Sequence, residues 1–443
     1  MFRRILIANR GEVAARVMRT CKRLGITAVA VCTDPDADLA YLQDADEVIN
    51  IGGKRAYLDA SALIDAATDA RCSAVHPGWG FLSESATFSA RCEAARLTFI
   101  GPRSRSIRTM GDKSRARETM AALGVPIVPG SDGVLRDAAH AAEVAAQIGY
   151  PVLLKALSGG GGRGMRRVYG PEEVEDAFAA ASAEAAGAFN DGRMYLEKLI
   201  ERGRHIEFQV LSDGQRAVVL GERECSVQRR HQKLIEETPS PVVSPEEVAE
   251  MSAVIVKAMI GMGYRGAGTI EMLRDHDGAM YFMEMNTRLQ VEHTITEERY
   301  NIDLVEHQLR IAANQPLCID AQPSGHSIEC RINAEDPARN FQPTPGTVET
   351  LVLPEGEGIR VETHLSEGDR ISPHYDSMFA KVVSHGSDRQ EAIDRMIAAL
   401  EGMVVEGVST TIALHLAVLR HPKFVAGDYD TRFLEENMDG LLP

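Results

Sequence analysis

The chain has 443 residues, of which 44% are hydrophobic and 25% are charged, and its formal net charge at pH 7 is −16. This length is enough for two or three domains with buried cores. Because no long basic run offsets the acidic balance, we expect neither nucleic acid nor a membrane surface as a partner, and a small-molecule enzyme fits better.

The cysteines and the N-terminus bear on the compartment. The seven cysteines show no CxxC pairing, which is unlike a zinc site or a disulfide framework, so we expect buried reduced thiols. The apolar run in MFRRILIANRGE is too short for a signal peptide, and no stretch approaches the ~20 apolar residues of a membrane span. These features predict a cytoplasmic protein.

The N-terminal part alternates strand and helix patterns. RILIA and TAVAVCT flank a predicted helix from about Glu12 to Leu24, which Gly25 ends, and HPGWGFLSE and LTFIGP continue the alternation. This order predicts a doubly wound parallel sheet. The first turn is ANRGE rather than GxGxxG, so an NAD enzyme is not predicted.

A second unit begins after a helix predicted from about Asp112 to Leu123. GVPIVPGSDG, rich in proline and glycine, is typical of a linker. The order that follows is a helix over Ala138 to Ile148, the strand PVLLKA, the loop LSGGGGRG, the strand MRRVY and another helix. A third portion starts near Gln322 to His326, and the chain shows no internal repeat.

The run SGGGGRGM has two interpretations. A flexible linker is the default for a glycine run, but the flanks here are apolar strands. Glycines allow successive backbone N–H groups to approach phosphate oxygens closely. Because the loop joins strand to strand and lacks the GK[ST] ending of a Walker loop, it predicts a hairpin lid over a nucleotide.

Lysines and acidic residues elsewhere fit a nucleotide with a metal. Lys113 and Lys155 are candidate counter-charges for phosphate, although each alone would be interpreted as a surface lysine. Glu271 and Glu284 lie on strand patterns joined by a short DHDG turn, so we expect these strands to pair. With Asn286 they offer three oxygen donors of the kind that magnesium binds beside phosphates.

Residues 284–293, EMNTRLQVEH, alternate polar and apolar side chains. On an extended segment one face would carry a polar row, which consists of Glu284, Asn286, Arg288, Gln290 and Glu292. A half-buried strand with a solvated face is the ordinary explanation. A surface strand does not need metal-ligand oxygens followed by an anion-binding arginine, however, so we expect this row to be functional.

The chain resembles the biotin carboxylases, the ATP-grasp members of the biotin-dependent carboxylases. The resemblance covers essentially all of the sequence and rests on IANRGEVA, HPGWGFLSE, MGDKSRA, GGGGRGMR, the EK of YLEKLIERGRHIEFQVL, ERECSVQRRHQK, YRGAGTIE, EMNTRLQVEH and ECRINAEDP. It implies an α/β fold with a doubly wound, Rossmann-like domain over 1–111, an ATP-grasp domain over 112–325 with a glycine-rich hairpin lid at about 128–200, and a C-terminal α+β domain over 326–443.

The resemblance also implies roles for individual residues. The residues implied to contact ATP are Lys113, Lys155, Gly161, Gly162, Glu197, Lys198, Ile200, His205, His231, Glu271 and Glu284. Those implied to hold Mg²⁺ or Mn²⁺ are Glu271, Glu284 and Asn286. Those implied to bind bicarbonate are Lys233, Arg288, Gln290, Val291 and Glu292, with Glu292 as general base. Lys233, Arg288, Glu292 and Arg331 form the catalytic group, in which Arg331 faces the ureido group of biotin.

Two of these assignments have plainer alternatives. His205 and His231 are expected to be polar contacts to the nucleotide, with acid–base chemistry as the alternative. Arg331 lies in the alternating stretch ECRINAE, and its spacing alone predicts a surface-strand arginine paired with Glu329 or Glu335.

The implied reaction is ATP-dependent carboxylation of biotin with bicarbonate through carboxyphosphate, the first half-reaction of an acetyl-CoA or other acyl-CoA carboxylase. Because no MKM biotin-attachment motif is present, we expect biotin on a separate biotin carboxyl carrier protein. The resemblance further implies a carboxyltransferase subunit as partner and a homodimer as the assembly. The alternatives are another ATP-grasp ligase, which joins a carboxylate to an amine, and a non-catalytic nucleotide-binding subunit.

The sequence departs from the commoner family pattern in three places. Trp79 stands where HPGYGFLSE has tyrosine, Leu157 and Ser158 precede four glycines where some relatives have five, and Thr294 replaces the proline of VEHP. The loss of a tyrosine hydroxyl near the acceptor pocket bears on the placement of biotin.

Overall fold

The computed structural model describes residues 1–157, 164–189 and 191–441. Its contacts divide the chain into two compact units. The first comprises Met1–Val125, Arg204–Leu273 and Glu284–Pro443, and the second comprises Pro126–Gly203 and Arg274–Met283. Within the described ranges, no helix is both long enough and apolar enough to cross a membrane.

The first unit opens with alternating strands and helices. Its elements are β1 (Arg4–Ile7), α1 (Gly11–Arg23), β2 (Thr27–Cys32), β3 (Glu47–Asn50), α2 (Ala60–Asp69), β4 (Ala74–His76), α3 (Ala86–Ala94), β5 (Thr98–Phe99), α4 (Ser104–Gly111) and α5 (Lys113–Ala122). The five strands form one sheet in the order β3-β2-β1-β4-β5, and every neighbouring pair is parallel.

The two faces of this sheet bury different helices. Successive side chains of a strand point to opposite faces. Ile5 accordingly packs in one core cluster with Val17 of α1, whereas Leu6 packs in another with Leu63 of α2 and Phe88 of α3. Helices therefore cover both faces, and the predicted doubly wound sheet is confirmed.

The second unit is smaller. Its elements are α6 (Ala138–Ile148), β6 (Val152–Ala156), β7 (Met165–Val168), α7 (Val174–Phe189) and β8 (Met194–Lys198). The strands form an antiparallel sheet in the order β7-β6-β8. The predicted linker is anchored along β8, because the amide of Lys198 donates to the carbonyl of Pro129 at 2.8 Å.

The remainder of the chain builds a larger sheet with its helices. The elements up to the last third are β9 (Arg204–Asp213), β10 (Ala217–Arg229), β11 (Gln232–Thr238), α8 (Pro245–Gly261), β12 (Arg265–Arg274), β13 (Met280–Asn286), α9 (His293–Tyr300) and α10 (Leu304–Ala312). Those of the last third are β14 (His326–Asn333), β15 (Glu335–Asp336), β16 (Gln342–Pro343), β17 (Gly346–Thr347), β18 (Thr350–Val352), β19 (Ile359–Thr363), β20 (Arg370–Ile371), β21 (Met378–Gly386), α11 (Arg389–Gly402), β22 (Val404–Glu406), α12 (Ile412–Arg420), α13 (Pro422–Val425) and α14 (Phe433–Leu441).

Eight strands form this sheet in the order β13-β12-β9-β10-β11-β14-β21-β19. The pairs from β9 to β19 are antiparallel. β14 begins at His326, where the third portion of the sequence was expected to start, and it pairs directly with β11. The last third thus shares a sheet with the preceding region, and the three-domain division of the sequence stays a prediction.

An extra residue interrupts the pairing of β10 with β11. Val227 lies opposite Ile235 and Gln228 lies opposite Lys233, so Leu234 has no partner across the pair. A bulge of this kind breaks the alternation of side chains along a strand. Lys233 and Glu236, three positions apart, therefore point to the same face of the sheet.

We expect Leu6→Ala to lower the free energy of unfolding by about 2–5 kcal/mol, because Leu6 is fully buried beneath α2 and α3. Val48→Ala on β3 is the matched control, since Val48 is 42% exposed and its loss should change stability by less than about 0.5 kcal/mol. Urea unfolding of the two variants measures the difference. Equal losses would contradict the placement of the core.

Candidate active site

The polar row does not lie on one strand. β13 ends at Asn286, and Glu292 is the residue immediately before α9, with φ −80° and ψ 13°. The prediction of a continuous extended face from Glu284 to Glu292 is therefore wrong. An alternating pattern does not reveal where a strand stops, and here the chain turns after Asn286 and enters a helix.

Hydrogen bonds nevertheless connect the members of the row. Arg288 donates to Asn286 Oδ1 and to Gln290 Oε1, each at 2.8 Å. Asn286 Nδ2 and Gln290 Nε2 in turn donate to Glu271 Oε1 at 2.7 and 3.1 Å. The structure thus brings these residues together around the carboxylate on β12, although not by the strand geometry that was expected.

Glu84 is a member of this site that sequence reasoning missed. Arg288 Nε donates to Glu84 Oε2 at 2.8 Å, and the amide of Thr287 donates to Glu84 Oε1 at 3.0 Å. Glu84 lies two residues before α3, in the stretch HPGWGFLSE. Every nitrogen of the Arg288 guanidinium therefore has an oxygen partner, and the group is held in one orientation.

Lys233 is the centre of the buried part of the site. Its ammonium donates to Glu207 Oε2 at 2.5 Å, to Glu292 Oε1 at 2.6 Å and to Glu271 Oε1 at 3.2 Å. An ammonium has three donors, and all three are used here. The three carboxylates come from β9, from the start of α9 and from β12, so one side chain links three segments of the first unit.

The contacts continue on both sides of Lys233 as a run of alternating charges. We call this run the charge chain, and its members in order are Arg223, Glu207, Lys233, Glu292, Arg331 and Glu236. At one end Arg223 Nε donates to Glu207 Oε1 at 2.5 Å. At the other end Arg331 donates to Glu292 Oε2 at 3.0 Å and to Glu236 Oε1 at 2.6 Å.

The positive charges of the site shift the pKa of two of its carboxylates, Glu292 and Glu271. Burial alone would raise the pKa of Glu292, but the charges of Lys233, Arg331 and Arg223 hold that pKa well below its ordinary value. Burial likewise opposes the effect of Lys233 and His205 on Glu271, whose pKa is also lowered. Both groups are therefore ionised at neutral pH.

Arg331 is not a surface-strand arginine. The alternative that paired it with Glu329 or Glu335 is wrong, because its partners are Glu236 and Glu292 and only 12% of its side chain is exposed. Its partner Glu236 lies 95 residues away in sequence. The pairing follows from the neighbouring positions of β11 and β14, which spacing along one strand does not predict.

The proposed magnesium ligands suit a hard cation. Burial and the nearby charge of Glu271 raise the pKa of Glu284, so the two carboxylates repel each other. Asn286 contacts Glu271, and Lys113 Nζ lies 3.8 Å from Glu284 Oε2 with most of its side chain exposed. A divalent ion among these oxygens would relieve the repulsion. The residues present therefore fit the cation that the sequence predicted.

The candidate nucleotide residues of the second unit lie on β6 and β8 and just beyond. Lys155 Nζ donates to Glu197 Oε2 at 2.5 Å, so the two predicted ligands pair with each other. Lys198 and Ile200 are half-buried. Gly161, Gly162 and the rest of residues 158–163 lie outside the described residues, and the flanking strands β6 and β7 pair in antiparallel register.

The two candidate histidines differ in environment. His205 is buried, and its Nε2 lies 3.2 Å from Glu271 Oε2. His231 is exposed in the turn between β10 and β11, with φ +68°. Only His205 is therefore in contact with the carboxylates around Lys233.

The unusual residues of this sequence also have defined surroundings. Trp79 is half-buried against the core, and its carbonyl accepts a hydrogen bond from Asn9 Nδ2 at 2.7 Å. The hydroxyl of Thr294 donates to the buried carboxylate of Glu329.

All seven cysteines are free and six are buried, but Cys318 is exposed, so the expectation of buried thiols is wrong at that position.

Three family models match nearly the whole chain. Residues 1–107 match the model described as "Biotin carboxylase, N-terminal domain", and residues 329–436 match "Biotin carboxylase C-terminal domain". Residues 112–319 match "Carbamoyl-phosphate synthase L chain, ATP binding domain".

Individual relatives are similar over nearly their full length. The chain is 47% identical to a biotin carboxylase of Nostoc sp., with 98% of this chain and 99% of the relative covered. It is also 47% identical to the 2-oxoglutarate carboxylase small subunit of Hydrogenobacter thermophilus, with 99% and 94% covered. The crystal structure of the biotin carboxylase domain dimer of that organism's 2-oxoglutarate carboxylase, with MgADP, ADP and bicarbonate, has a TM-score of 0.91 at 46% identity and covers 100% of this chain and 99% of that chain.

We expect Lys233→Met to lower the free energy of unfolding by about 3–5 kcal/mol, because three buried carboxylates would lose their common partner. Lys113→Met is the control for stability, since the Lys113 side chain is 89% exposed. Urea unfolding at neutral pH measures both variants. Equal stability of the two would show that Lys233 does not hold these carboxylates together.

Proposed function

Because the chain belongs to the biotin carboxylase family, we propose that the charge chain around Lys233 is where it carboxylates biotin. The enzyme is an ATP-grasp ligase that uses ATP, Mg²⁺ and bicarbonate in this reaction. The observation that supports the location is the meeting of Lys233, Glu292 and Arg331 in one buried network.

Bicarbonate is the substrate that the cationic side of this network suits. We assign its binding to Lys233, Arg288, Gln290 and the backbone of Val291. Arg288 is already oriented by Glu84, Asn286 and Gln290, so little rotational freedom remains to be lost when an anion binds. The carbonyl of Val291 accepts a hydrogen bond from Lys381 Nζ at 2.6 Å, which fixes the backbone beside the site.

Glu292 is the proposed general base for bicarbonate. It is ionised at neutral pH, so it is able to accept a proton. Both of its oxygens are occupied, one by Lys233 and the other by Arg331. Proton transfer therefore requires one of these contacts to be shared with the substrate, and the lowered pKa favours rapid release of the proton afterwards.

ATP and its magnesium ion are assigned to residues with oxygen donors or positive charge. Glu271, Glu284 and Asn286 would hold Mg²⁺, which when bound neutralises charge on the phosphates. The residues assigned to ATP are Lys113, Lys155, Glu197, Lys198, Ile200, His205, His231, Glu271 and Glu284, together with Gly161 and Gly162 outside the described residues. The pairing of Lys155 with Glu197 implies that the nucleotide competes for that lysine.

The reaction follows from these assignments. A bicarbonate oxygen attacks the terminal phosphorus of ATP, the bond to the bridging oxygen breaks, and carboxyphosphate and ADP form. Carboxyphosphate hydrolyses easily, so exclusion of water preserves it until carbon dioxide is released beside biotin. The freed phosphate then takes the ureido proton, and Arg331 stabilises the negative charge that develops on the ureido oxygen.

The partners are proposals of the same kind. We assign the biotin to a biotin carboxyl carrier protein, the next step to a carboxyltransferase subunit, and the final acceptor to acetyl-CoA or another acyl-CoA. A homodimer is proposed, in line with the dimeric relative described above. The competing function, an ATP-grasp ligase that joins a carboxylate to an amine, has no use for Arg331 beside Glu292, and a non-catalytic subunit has no use for the complete set of acidic ligands.

We expect Glu284→Gln and Asn286→Ala to abolish ATP cleavage, because each loses an oxygen ligand of magnesium. The fold should survive in both, since only polar side chains at the end of β13 change. Bicarbonate-dependent ADP release and thermal unfolding measure the two effects, and Glu367→Gln, at an exposed position, is the matched control. ATP turnover near the wild-type rate in both variants would contradict the assignment of these residues to magnesium.

Arg331→Ala and Glu292→Gln should affect two activities differently. Loss of an oxyanion donor costs about 10²–10³ in rate, so Arg331→Ala should reduce carboxylation of free biotin by that order while some bicarbonate-dependent ATP cleavage remains. Glu292→Gln should lower both activities, because the base acts on bicarbonate before biotin is involved. ADP release and carboxybiotin are measured on the same samples. Equal loss of both activities in Arg331→Ala, or no loss of either, would contradict the assignment.

A further inference from the structure

Two buried carboxylates face each other behind the proposed biotin arginine. Glu236 on β11 and Glu329 on β14 are directly opposed in the antiparallel register of these strands. Directly opposed side chains lie on the same face of a sheet, with Cβ atoms about 4.5–5.5 Å apart. Both side chains are fully buried, so no bulk water separates their charges.

In each carboxylate of this pair, one oxygen accepts a hydrogen bond and the other has no partner among the described residues. Glu236 Oε1 accepts from Arg331, and Glu329 Oε2 accepts from the hydroxyl of Thr294. Glu236 Oε2 and Glu329 Oε1 are buried and have no hydrogen-bond partner anywhere in the described parts of the chain. Buried polar atoms without partners are costly, and two ionised carboxylates side by side also repel each other.

We propose that Glu236 and Glu329 share one proton at neutral pH, held between Glu236 Oε2 and Glu329 Oε1. A single proton on either oxygen gives the other oxygen a donor, so it satisfies both atoms and removes one negative charge. We call this pair the carboxyl dyad. Its two members are positioning residues, because they act on the reaction through Arg331, and this role rests on the function proposed above.

The surroundings of the dyad favour retention of that proton. Burial, together with the charges of Glu329 and Glu292, raises the pKa of Glu236 to about 8 against the opposing charge of Arg331. Burial also raises the pKa of Glu329, against the charges of Lys381 and Arg331. Other charged neighbours are Lys233, which lowers the pKa of Glu236, and Glu12, which lies 3.3 Å from Lys381.

The dyad sets how far the positive charge of Arg331 is neutralised. With the proton present, Arg331 lies between Glu292 and a dyad that carries one negative charge. After the proton leaves for solvent, the dyad carries two negative charges beside the same guanidinium. Arg331 then stabilises negative charge on the ureido oxygen less well, so biotin carboxylation should fall at alkaline pH more steeply than ATP cleavage does.

Thr294 tunes this equilibrium in a way that proline at the same position cannot. Its hydroxyl donates to Glu329, and a hydrogen bond to the ionised form of a carboxylate lowers its pKa. Thr294→Val keeps the shape of the side chain and removes the donor, so it should move the alkaline midpoint upward by about one pH unit. Thr294→Ser keeps a hydroxyl and should leave the midpoint near that of the wild type.

The shared proton is tested on the full chain without substrates. Infrared difference spectra between about pH 6 and about pH 10 should show one carboxylic acid signal that disappears with a midpoint near the pKa of about 8. Glu236→Gln and Glu329→Gln should each remove this signal, because each breaks the pair. Glu367→Gln, an exposed position, should leave it in place.

Thermal unfolding gives a second readout that does not depend on activity. Because the folded-state pKa is raised, the folded chain retains the proton after the unfolded chain has lost it, so this contribution to stability declines as pH rises toward 8. As the pH rises toward 8, the melting temperature of Glu236→Gln should therefore fall less than that of the wild type. If Glu236→Gln fails to fold, Glu329→Gln and the two Thr294 variants carry the test.

The outcomes separate the dyad from the proposed function. Loss of the signal in both glutamine variants supports sharing, whereas its persistence in either one assigns the proton to a single residue and overturns the proposal. Absence of the signal in the wild type overturns it as well. If the dyad titrates but biotin carboxylation and ATP cleavage change in parallel at every pH, the shared proton is supported and its proposed effect on Arg331 is refuted.

Discussion

The site depends on one buried ammonium. Transfer of an ion from water into the protein interior costs several kcal/mol, and Lys233 offsets that cost only because three carboxylates surround it. Those carboxylates are themselves buried and need the same cation. Glu207, Glu271 and Glu292 come from three separate segments, so correct assembly of the sheet is a condition for satisfying any of these charges.

The alternation of charges extends this dependence across the site. Within the charge chain each interior member has an oppositely charged neighbour on both sides, and removal of one member takes one opposite charge away from each of its two neighbours. Stability and the proposed activity are therefore coupled at these positions. The same rigidity fits the proposed function, because the charges that we assign to bicarbonate are already oriented by the protein and need no rearrangement of solvent.

Local patterns in the sequence predicted the framework but not the pairing within the site. The doubly wound sheet and the helix Ala138–Ile148 follow from periodicity and from glycine punctuation, which act over a few residues. The bulge at Leu234, the contact of Arg288 with Glu84 and the pairing of Arg331 with Glu236 depend on strand neighbours far apart in sequence. The alternation in EMNTRLQVEH gave a wrong prediction for the same reason. Its first three residues, 284–286, end β13, and alternation alone does not show where a strand ends.

Lys233 and Arg331, the two cations beside Glu292, are neutralised to different extents. Lys233 has three carboxylates around one ammonium, so each of its three N–H donors already has a partner. Among the described residues Arg331 forms ion pairs with Glu292 and Glu236, and a proton shared between Glu236 and Glu329 would reduce the negative charge around it from three units to two. We assign Arg331 to stabilise charge only in the transition state, and weaker neutralisation in the ground state favours that role. The proposed shared proton would therefore leave the charge of Arg331 less neutralised than that of Lys233, with Glu292 as the carboxylate common to both.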